Sequence, residues 1–477
     1  MTRETDLMRF ETAHRPRPHV NALVRPHHLF TTEQRCTAAI KAGWNVFKFP
    51  SKMLMGGDLL SDSGTTTLTV DQDAMMRKAD EAYGNNWGYE QLLDRLTETV
   101  GIPRDECHIY LFHQCRRVED VLYSHLRGAP IIVPSNSFFD TTRANAEANN
   151  VQALDLPDTS VHEFKGNIDL DALERVLDAN HSNVPFVLMT VTNNTGGGQP
   201  ASLDNMQAAR NIAHANRTSF FLDACRFAEN AWFIQQHEKA YAGWSITAIV
   251  HKMFSLCDGF TISFKKDGLA NMGGALLIKK DAPLLVRQKD LVKKLRRIQT
   301  RTEGHESYGG ISGRDIMAIV EGLPYVVTNQ YLDGRIEQVH DFGTYMKELG
   351  IPVLEPFGGH AVYIDTDRFF SDTRMRREDF GGIAVCAVLL LKGVRLCELG
   401  CFAFGKYDPD TDKEILPERN YIRAALPRGK YERDDLCYVG DCIKAVYDRR
   451  FELPCAVPVF DRDEPLRNFT ARFELTY

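Results

Sequence analysis

The chain lacks long apolar segments. Its longest uninterrupted apolar run, 383–391, is far shorter than the ~20 residues that a membrane-spanning helix requires. The first residues carry charges where a secretory signal would have an apolar core. The sequence therefore predicts no membrane anchor and no export, and we expect a cytoplasmic protein.

Paired cysteines are also missing. The 11 cysteines are dispersed between Cys36 and Cys455, and no two of them form a Cys-x-x-Cys pair. Cys397 and Cys401 lie close together but have no second pair or histidine at zinc-finger spacing. An odd, scattered set of this kind is typical of reduced thiols, and it argues against a disulfide framework and a structural zinc site.

The chain has no excess of positive charge and no internal repeat. Its 57 lysines and arginines stand against 64 acidic residues, and the formal net charge of -7 provides no basic field for nucleic acid. No repeat at the period of a solenoid is present. What is present is globular sequence, with 43% hydrophobic and 25% charged residues over 477 positions. This length predicts roughly two or three domains.

Strand and helix patterns alternate in the middle of the chain. An apolar run at 185–192 reads as a buried strand, Ser202 as the N-cap of an amphipathic helix, and 219–222 as a second strand. This alternation predicts an α/β fold with a parallel sheet between helices. Ligands of such sheets bind beyond the carboxyl ends of the strands, where we expect Asp223 and Asn194.

The pattern changes near residue 330 to long amphipathic segments with fewer strand runs. We therefore predict three parts. Residues 1–60 form an N-terminal arm and part of a small domain, residues 61–330 a large domain, and residues 331–477 a small C-terminal domain of α+β type.

A carboxylate and a lysine pair follow two of the predicted strands. Asp223 ends one strand, and Lys265 and Lys266 follow the run 259–263. Pyridoxal phosphate requires an acid that protonates its pyridine nitrogen and a lysine that holds its aldehyde as a Schiff base. A neighbouring cation also lowers the pKa of such an amine. The alternative is a solvated turn, because lysine pairs are common in turns.

Further segments resemble a known family. Together with Asp223 and Lys266, they are similar to the β-eliminating lyases, the family of tryptophanase and tyrosine phenol-lyase. The segments occur in the family's order, and they are 60–65, 80–83, 113–116, 197–200, 307–310, 358–361, 426–428 and 469–472. The resemblance implies the type I fold of pyridoxal-phosphate enzymes, with a large domain built on a mostly parallel sheet and a smaller α+β domain.

The resemblance also implies roles for individual residues at the cofactor. Lys266 would form the Schiff base, Asp223 would pair with the pyridinium, Arg226 would lie near the phenolic oxygen and Phe139 would stack on the ring. The phosphate would bind at a helix N-terminus, where free N–H groups and the helix dipole favour an anion. The residues implied for this phosphate site are Gln114, Cys115, Arg116, Ser263 and Lys265.

Other implied roles concern the substrate, a cation and the assembly. Arg428 resembles the arginine that binds the substrate carboxylate, assisted by Ser63 and Asn194. Tyr83 resembles a catalytic tyrosine contributed across a subunit interface, which implies a homodimer or homotetramer with shared sites. His360 is either a gating residue or a structural histidine. The residues that resemble a potassium site are Glu81, Asn271 and Gly64.

The chain departs from the family at positions that bear on substrate choice. Asp140 and Leu399 resemble the tryptophanase arrangement, whereas Asn468 matches neither the histidine of tryptophanase nor the phenylalanine of tyrosine phenol-lyase. Asn468 cannot titrate near neutral pH. Phe264 stands where the family usually has a small residue, and Arg117 where its phosphate loop has glycine.

Three functions follow from these residues. The first is pyridoxal-phosphate-dependent β-elimination on an L-amino acid with an aromatic, tryptophan-like, or other bulky β-substituent. In that reaction Lys266 removes the α-proton, Tyr83 protonates the leaving group, and pyruvate and ammonium result. The second is elimination or β-replacement at a carbon–sulfur or carbon–oxygen bond, motivated by Phe264, Arg117 and Asn468. The third is a non-catalytic paralogue that binds the cofactor without turnover.

Overall fold

A computed structural model describes residues 18–21, 24–126, 130–160, 163–459 and 464–477. Its helices, in chain order, are α1 Thr32–Lys41, α2 Val70–Lys78, α3 Trp87–Val100, α4 Cys115–Ser124, α5 Asp140–Ala148, α6 Leu170–Asn180, α7 Leu203–Ala215, α8 Phe227–His237, α9 Ile246–Leu256, α10 Pro283–Arg287, α11 Leu291–Glu303, α12 Gly313–Val326, α13 Asn329–Glu348, α14 Thr366–Phe369, α15 Gly381–Leu389 and α16 Arg433–Asp448. Its strands are β1 Gly57–Asp58, β2 Cys107–Phe112, β3 Ile131–Ser135, β4 Val151–Asp155, β5 Phe186–Thr190, β6 Ser219–Asp223, β7 Gly259–Ser263, β8 Gly274–Lys279, β9 Ala361–Asp365, β10 Val394–Arg395, β11 Cys397–Leu399, β12 Lys406–Asp408, β13 Lys413–Ile415, β14 Tyr421–Ala425, β15 Cys455–Pro458 and β16 Phe473–Thr476.

A seven-stranded sheet forms the centre of the molecule, in the order β2-β8-β7-β6-β5-β3-β4. Strands β7, β6, β5, β3 and β4 are mutually parallel, and β8 runs antiparallel between β2 and β7. The predicted strands at 185–192 and 219–222 are observed as β5 and β6, and the predicted run 259–263 is β7. The expectation of an α/β fold with a mostly parallel sheet is confirmed.

Helices cover both faces of this sheet because side chains alternate along its buried strands. Phe220 and Leu222 of β6 pack into one apolar cluster with α7, α9 and α12, whereas Phe221 packs into a second cluster with α4 and α11. The helix α7 begins where the sequence predicts, because the Ser202 side chain accepts a hydrogen bond from Asn205 N at 3.1 Å.

A smaller antiparallel sheet, β11-β14-β9, lies in the C-terminal part of the chain. It packs with α13, α15 and α16 in an apolar core of its own. The N-terminal segment contributes to this part, since β1 pairs with β10 and Leu59 belongs to the same core. The domain limits at residues 60 and 330 stay a prediction.

Two further features concern the whole chain. Each of the 11 cysteines is a free thiol, and eight of them are buried. In the described ranges no helix has both the length and the apolarity needed to cross a bilayer.

Candidate active site

The carboxyl ends of β6 and β7 bring the predicted acid and lysine to one edge of the sheet. Asp223 is the last residue of β6, where it is 6% exposed and opposite Thr261 of β7. Lys266 lies in the turn that follows β7, and its backbone N–H donates to Ser263 O at 3.2 Å. The structure thus brings Asp223 and Lys266 to neighbouring strand ends, as the sequence predicts.

The two lysines differ in electrostatic environment. The pKa of Lys265 is lowered by burial and by the charges of Lys266 and Arg116. Burial also lowers the pKa of Lys266, but Cys225, Cys115 and Asp62 together outweigh it, and the pKa of Lys266 is raised. The expectation that the lysine pair lowers the pKa of Lys266 is therefore wrong, because the lowered pKa belongs to Lys265.

The N-terminus of α4 forms the loop predicted to bind phosphate. Gln114 is its N-cap and bridges to Gly273, and the first helical residue is Cys115. Gly274 allows this close approach, because a Cβ atom there would lie 2.7 Å from Cys115 N. Arg116 is exposed, and its guanidinium lies 5.2 Å from the centre of the Phe469 ring. The first N–H groups of a helix have no partner within it, so this loop offers donors to an anion.

The loop 60–65 packs against the lysine turn. Gly64 N donates to Lys265 O at 2.7 Å, and Gly64 has a positive φ of 71°. A Cβ atom at Gly64 would lie 2.7 Å from Lys265 Cε, so any larger residue would displace that lysine. Asn271 Nδ2 donates to Gly64 O at 3.2 Å and to Thr66 O at 3.1 Å.

Only two of the three residues predicted for potassium come together within one chain. Gly64 and Asn271 are in contact, whereas Glu81 accepts a hydrogen bond from Gly313 N at 2.9 Å and pairs with Arg314 at 3.2 Å. These partners place Glu81 at the start of α12. A potassium site stays a prediction.

Arg226 is held by a carboxylate that the sequence analysis did not consider. Its Nε and Nη2 atoms donate to Asp62 at 2.9 and 2.8 Å. Asp62 is buried. That burial opposes its ionisation, but the charges of Arg226 and Arg428 hold its pKa well below the usual range. A bidentate pair of this kind fixes the orientation of the guanidinium.

The structure does not support the predicted role of Arg428. Its side chain is 1% exposed, and its Nη atoms donate to Asp62 at 3.0 Å, Glu229 at 2.7 Å and Asp267 at 2.9 Å. The small exposed part of Arg428 borders a cavity of about 1150 Å³, which Tyr331 also lines. Neither Lys266 nor Asp223 lines this cavity. Three carboxylates already take up the charge of Arg428, although its Nε atom, like that of Arg423, is buried without a partner.

Arg423 of β14 is the arginine that the sequence analysis missed. Its Nη1 donates to Asn194 Oδ1 at 3.1 Å and its Nη2 to Leu60 O at 3.0 Å, so its hydrogen-bond partners are neutral. Its Nε is buried without a partner. The charge of this guanidinium is therefore not taken up by a bonded carboxylate. The strand pattern of 421–425 could have revealed it, since a charged residue inside a buried strand calls for a partner.

A hydrogen-bond network fixes Asn194 beside Arg423. Asn194 Oδ1 accepts from Tyr363 Oη at 2.8 Å and lies 2.9 Å from His360 Nε2. Burial, followed by the charge of Arg226, lowers the pKa of His360 well below its usual value. A neutral, fully buried His360 that orders Asn194 fits the structural alternative for this histidine.

The residues predicted for the leaving-group pocket are mostly buried. Leu399 packs in an apolar cluster with Tyr363 and Cys397, and Asp140 is 8% exposed at the start of α5. Burial raises the pKa of Asp140, against the charges of Arg116 and Arg423. Asn468 is buried with its Oδ1 atom unpartnered.

Phe264 and Arg117, two of the residues that differ from the family, do not face a cleft. Phe264 has no exposed surface and belongs to the core beneath the sheet. Arg117 pairs with Asp120 and with Glu303. Their differences from the family are therefore accounted for by packing and by ion pairs.

Phe139 and Tyr83 occupy different surroundings. Phe139 is half-buried at the N-cap of α5, directly before Asp140. Tyr83 is 63% exposed and its ring lies tilted against that of Tyr308, with ring centres 5.2 Å apart. A single chain therefore leaves the Tyr83 ring open to a partner.

The comparison with known families agrees with this geometry. The sequence profile of the family described as β-eliminating lyase matches residues 58–441. The chain belongs to this family. As a β-eliminating lyase, it is a pyridoxal-phosphate-dependent enzyme.

Several relatives match over nearly the whole β-eliminating lyase chain. A tryptophanase of Hyphomonas neptunium is 38% identical over 457 residues, which cover 94% of this chain and 97% of that protein. A tyrosine phenol-lyase of Clostridium tetani is 35% identical over 461 residues, 94% of this chain and 96% of that protein. A probable β-eliminating lyase of Trichomonas vaginalis is 34% identical, with 95% and 97% covered.

Solved structures support the fold. A serine palmitoyltransferase of Sphingomonas wittichii superposes with a TM-score of 0.55 at 10% identity, covering 83% of this chain and 88% of that chain. A threonine aldolase of Leishmania major gives a TM-score of 0.54 at 13% identity, covering 82% and 99%. The expected type I fold of pyridoxal-phosphate enzymes is confirmed.

Proposed function

We propose that this lyase carries out β-elimination on an L-amino acid with a tryptophan-like side chain, releasing the leaving group, pyruvate and ammonium. The observation that carries the proposal is Arg423. Its guanidinium bonds only to neutral oxygens and lies beside Asn194, which follows β5, the strand that pairs with the Asp223 strand β6. A carboxylate-bearing substrate would supply the missing charge.

The residues present fit pyridoxal phosphate. Asp223 supplies a buried acid at a strand end, Lys266 an amine on the adjacent turn, and α4 a helix N-terminus into which Gly274 leaves room. When bound, the cofactor supplies the electron sink that stabilises negative charge at the substrate α-carbon. Asp223 would keep a proton on the ring nitrogen, and Phe139 would cover one face of the ring.

The protein side chains then divide the remaining work. Arg423, with Asn194 and Ser63, would hold the substrate carboxylate. Lys266 would take the α-proton, and Tyr83 of a partner subunit would deliver a proton to the leaving group. This division replaces the predicted carboxylate contact of Arg428 by one of Arg423.

Two buried acceptors support a leaving group with an N–H donor. Asp140 carries a carboxyl, and Asn468 Oδ1 has no hydrogen-bond partner. The apolar Leu399 offers no cation for a phenolate. A site that hydrogen-bonds a substrate group discriminates against analogues lacking it, so we expect tryptophan to be preferred over tyrosine.

Elimination at a carbon–sulfur or carbon–oxygen bond is less well supported. Two of the three residues that motivated it, Phe264 and Arg117, belong to the core and to an ion-pair cluster. A potassium site, a homodimer or homotetramer and a cytoplasmic location remain part of the proposal on the strength of the family resemblance.

The Arg423 assignment is tested by Arg423→Ala and Arg423→Lys, with exposed Arg368→Lys as the control. Steady-state pyruvate release from tryptophan should show kcat/KM lowered roughly 10²-fold in Arg423→Ala, mainly through KM, because a buried charge pair is lost. Arg423→Lys should recover part of this loss. Unchanged KM in both variants would contradict the assignment.

A further inference from the structure

A buried carboxylate lies behind the proposed cofactor site, and no step above uses it. Glu119 is 6% exposed on the second turn of α4. Its Oε1 accepts a hydrogen bond from Thr142 Oγ1 at 2.8 Å, and its Oε2 accepts one from Asn145 Nδ2 at 3.1 Å. Both donors belong to α5. One side chain thus joins the helix that begins at the phosphate loop to the helix that begins directly after Phe139.

Asn145 extends this connection to the phosphate loop itself. The same Nδ2 atom also donates to the backbone oxygen of Arg116 at 3.3 Å. Glu119, Thr142 and Asn145 therefore connect the N-terminal halves of α4 and α5, of which α4 begins with free N–H groups and α5 follows the aromatic ring of Phe139. The distance between the N-termini of these two helices determines whether the phosphate and the pyridine ring of one cofactor can both be bound.

Packing alone does not account for a carboxylate in this place. Its hydrogen-bond donors are neutral, and it faces Asp223, Lys266, and Cys115 and Tyr123 of its own helix. Burial and the charge of Asp223 raise the pKa of Glu119 to about 7, against Thr142, Asn145 and Lys266, which lower it. An ionised carboxylate held in this way costs folding stability.

We propose that Glu119 is a positioning residue for the cofactor, which sets the spacing between the phosphate loop and Phe139 through its hydrogen bonds to Thr142 and Asn145. This inference rests on the proposed function. Glu119 would contact neither substrate nor cofactor. Its effect on cofactor binding would be transmitted through the first turns of α4 and α5.

The test measures pyridoxal phosphate affinity and apoprotein stability in the same variants. These are Glu119→Ala, Glu119→Gln and Thr142→Val, with Asp120→Asn as the matched control. Asp120 lies on the same helix and also accepts a hydrogen bond from the end of α5, through Nδ2 of its C-cap Asn149 at 3.4 Å. The affinity is read by titrating apoprotein with the cofactor, and the stability by thermal unfolding without it.

In Glu119→Gln, the affinity for the cofactor should fall while the stability of the apoprotein does not. Glu119→Ala leaves two buried donors unpaired and should raise the Kd for the cofactor about tenfold or more. Glu119→Gln and Thr142→Val should each raise this Kd about threefold. Because the folded pKa of Glu119 lies above its unfolded value, its ionisation lowers stability as pH rises from about 4.5 through 7. Glu119→Gln removes this loss, so its apoprotein should be no less stable than wild type at pH 8.

The inference is supported if Glu119→Gln binds the cofactor more weakly but unfolds at the same or a higher temperature at pH 8. Asp120→Asn should bind the cofactor with wild-type affinity. Wild-type affinity in the folded Glu119 and Thr142 variants overturns it, as does an equal loss of affinity in Asp120→Asn or a parallel fall of affinity and stability in Glu119→Gln. If Glu119→Ala does not fold, Glu119→Gln and Thr142→Val decide by the same criteria. Failure of the wild-type protein itself to bind the cofactor would instead refute the proposed function, and this inference with it.

Discussion

Two adjacent lysines give the sharpest test at the scale of single residues. We expect Lys266→Ala to abolish covalent attachment of the cofactor and Lys265→Ala to retain it, because Lys266 lies on the turn beside Asp223 whereas Lys265 packs against Gly64. Borohydride reduction followed by peptide mapping identifies the labelled lysine. A label on Lys265, or no label in the wild-type protein, would refute the assignment.

The buried arginines should differ in what they stabilise. Arg428→Ala leaves Asp62, Glu229 and Asp267 without their shared cation, and such a broken buried pair costs about 3–5 kcal/mol of unfolding free energy. Arg423→Ala breaks only bonds to neutral oxygens and should cost less. Urea unfolding of both apoproteins measures the difference. Equal losses would show that Arg423 is also bound in a structural ion network.

At the scale of elements, the loop 60–65 and the turn after β7 form one unit. Gly64 O, Thr66 O and Asn271 gather oxygens beside Lys265, and hard oxygen ligands are what an alkali cation accepts. We expect potassium in place of sodium to raise both turnover and the absorbance of the bound cofactor, provided that a partner subunit supplies Glu81. Identical turnover and absorbance in the two salts would count against a cation at this loop.

The elements themselves could be predicted because their signals are local. Strands β5, β6 and β7 are apolar runs, and α7 has its capping serine, so sequence patterns place Asp223 and Lys266 correctly. The choice between Arg423 and Arg428 could not be made from such patterns. It depends on which carboxylates surround each guanidinium, and Asp62, Glu229 and Asp267 come from distant parts of the chain. Glu119 was missed for the same reason.

At the scale of the whole molecule, Tyr83 bears on assembly. It is exposed on a single chain, which suits a residue that completes the site of a neighbour. We expect Lys266→Ala and Tyr83→Phe proteins, each nearly inactive, to regain roughly a quarter of wild-type activity after subunit exchange in a 1:1 mixture, because mixed dimers contain one intact site. A mixture no more active than its components would mean that Tyr83 acts within its own chain, or not at all.

The central claim is that this lyase eliminates an indole-like leaving group. Simultaneous measurement of pyruvate and of the released aromatic product, with tryptophan, tyrosine and S-methylcysteine as substrates and Lys266→Ala as the blank, tests it most directly. We predict equimolar indole and pyruvate from tryptophan, with kcat/KM above that for tyrosine, since the proposed pocket would offer the acceptors Asp140 and Asn468 but no cation at Leu399. Faster release from tyrosine, or pyruvate from S-methylcysteine alone, would contradict the account.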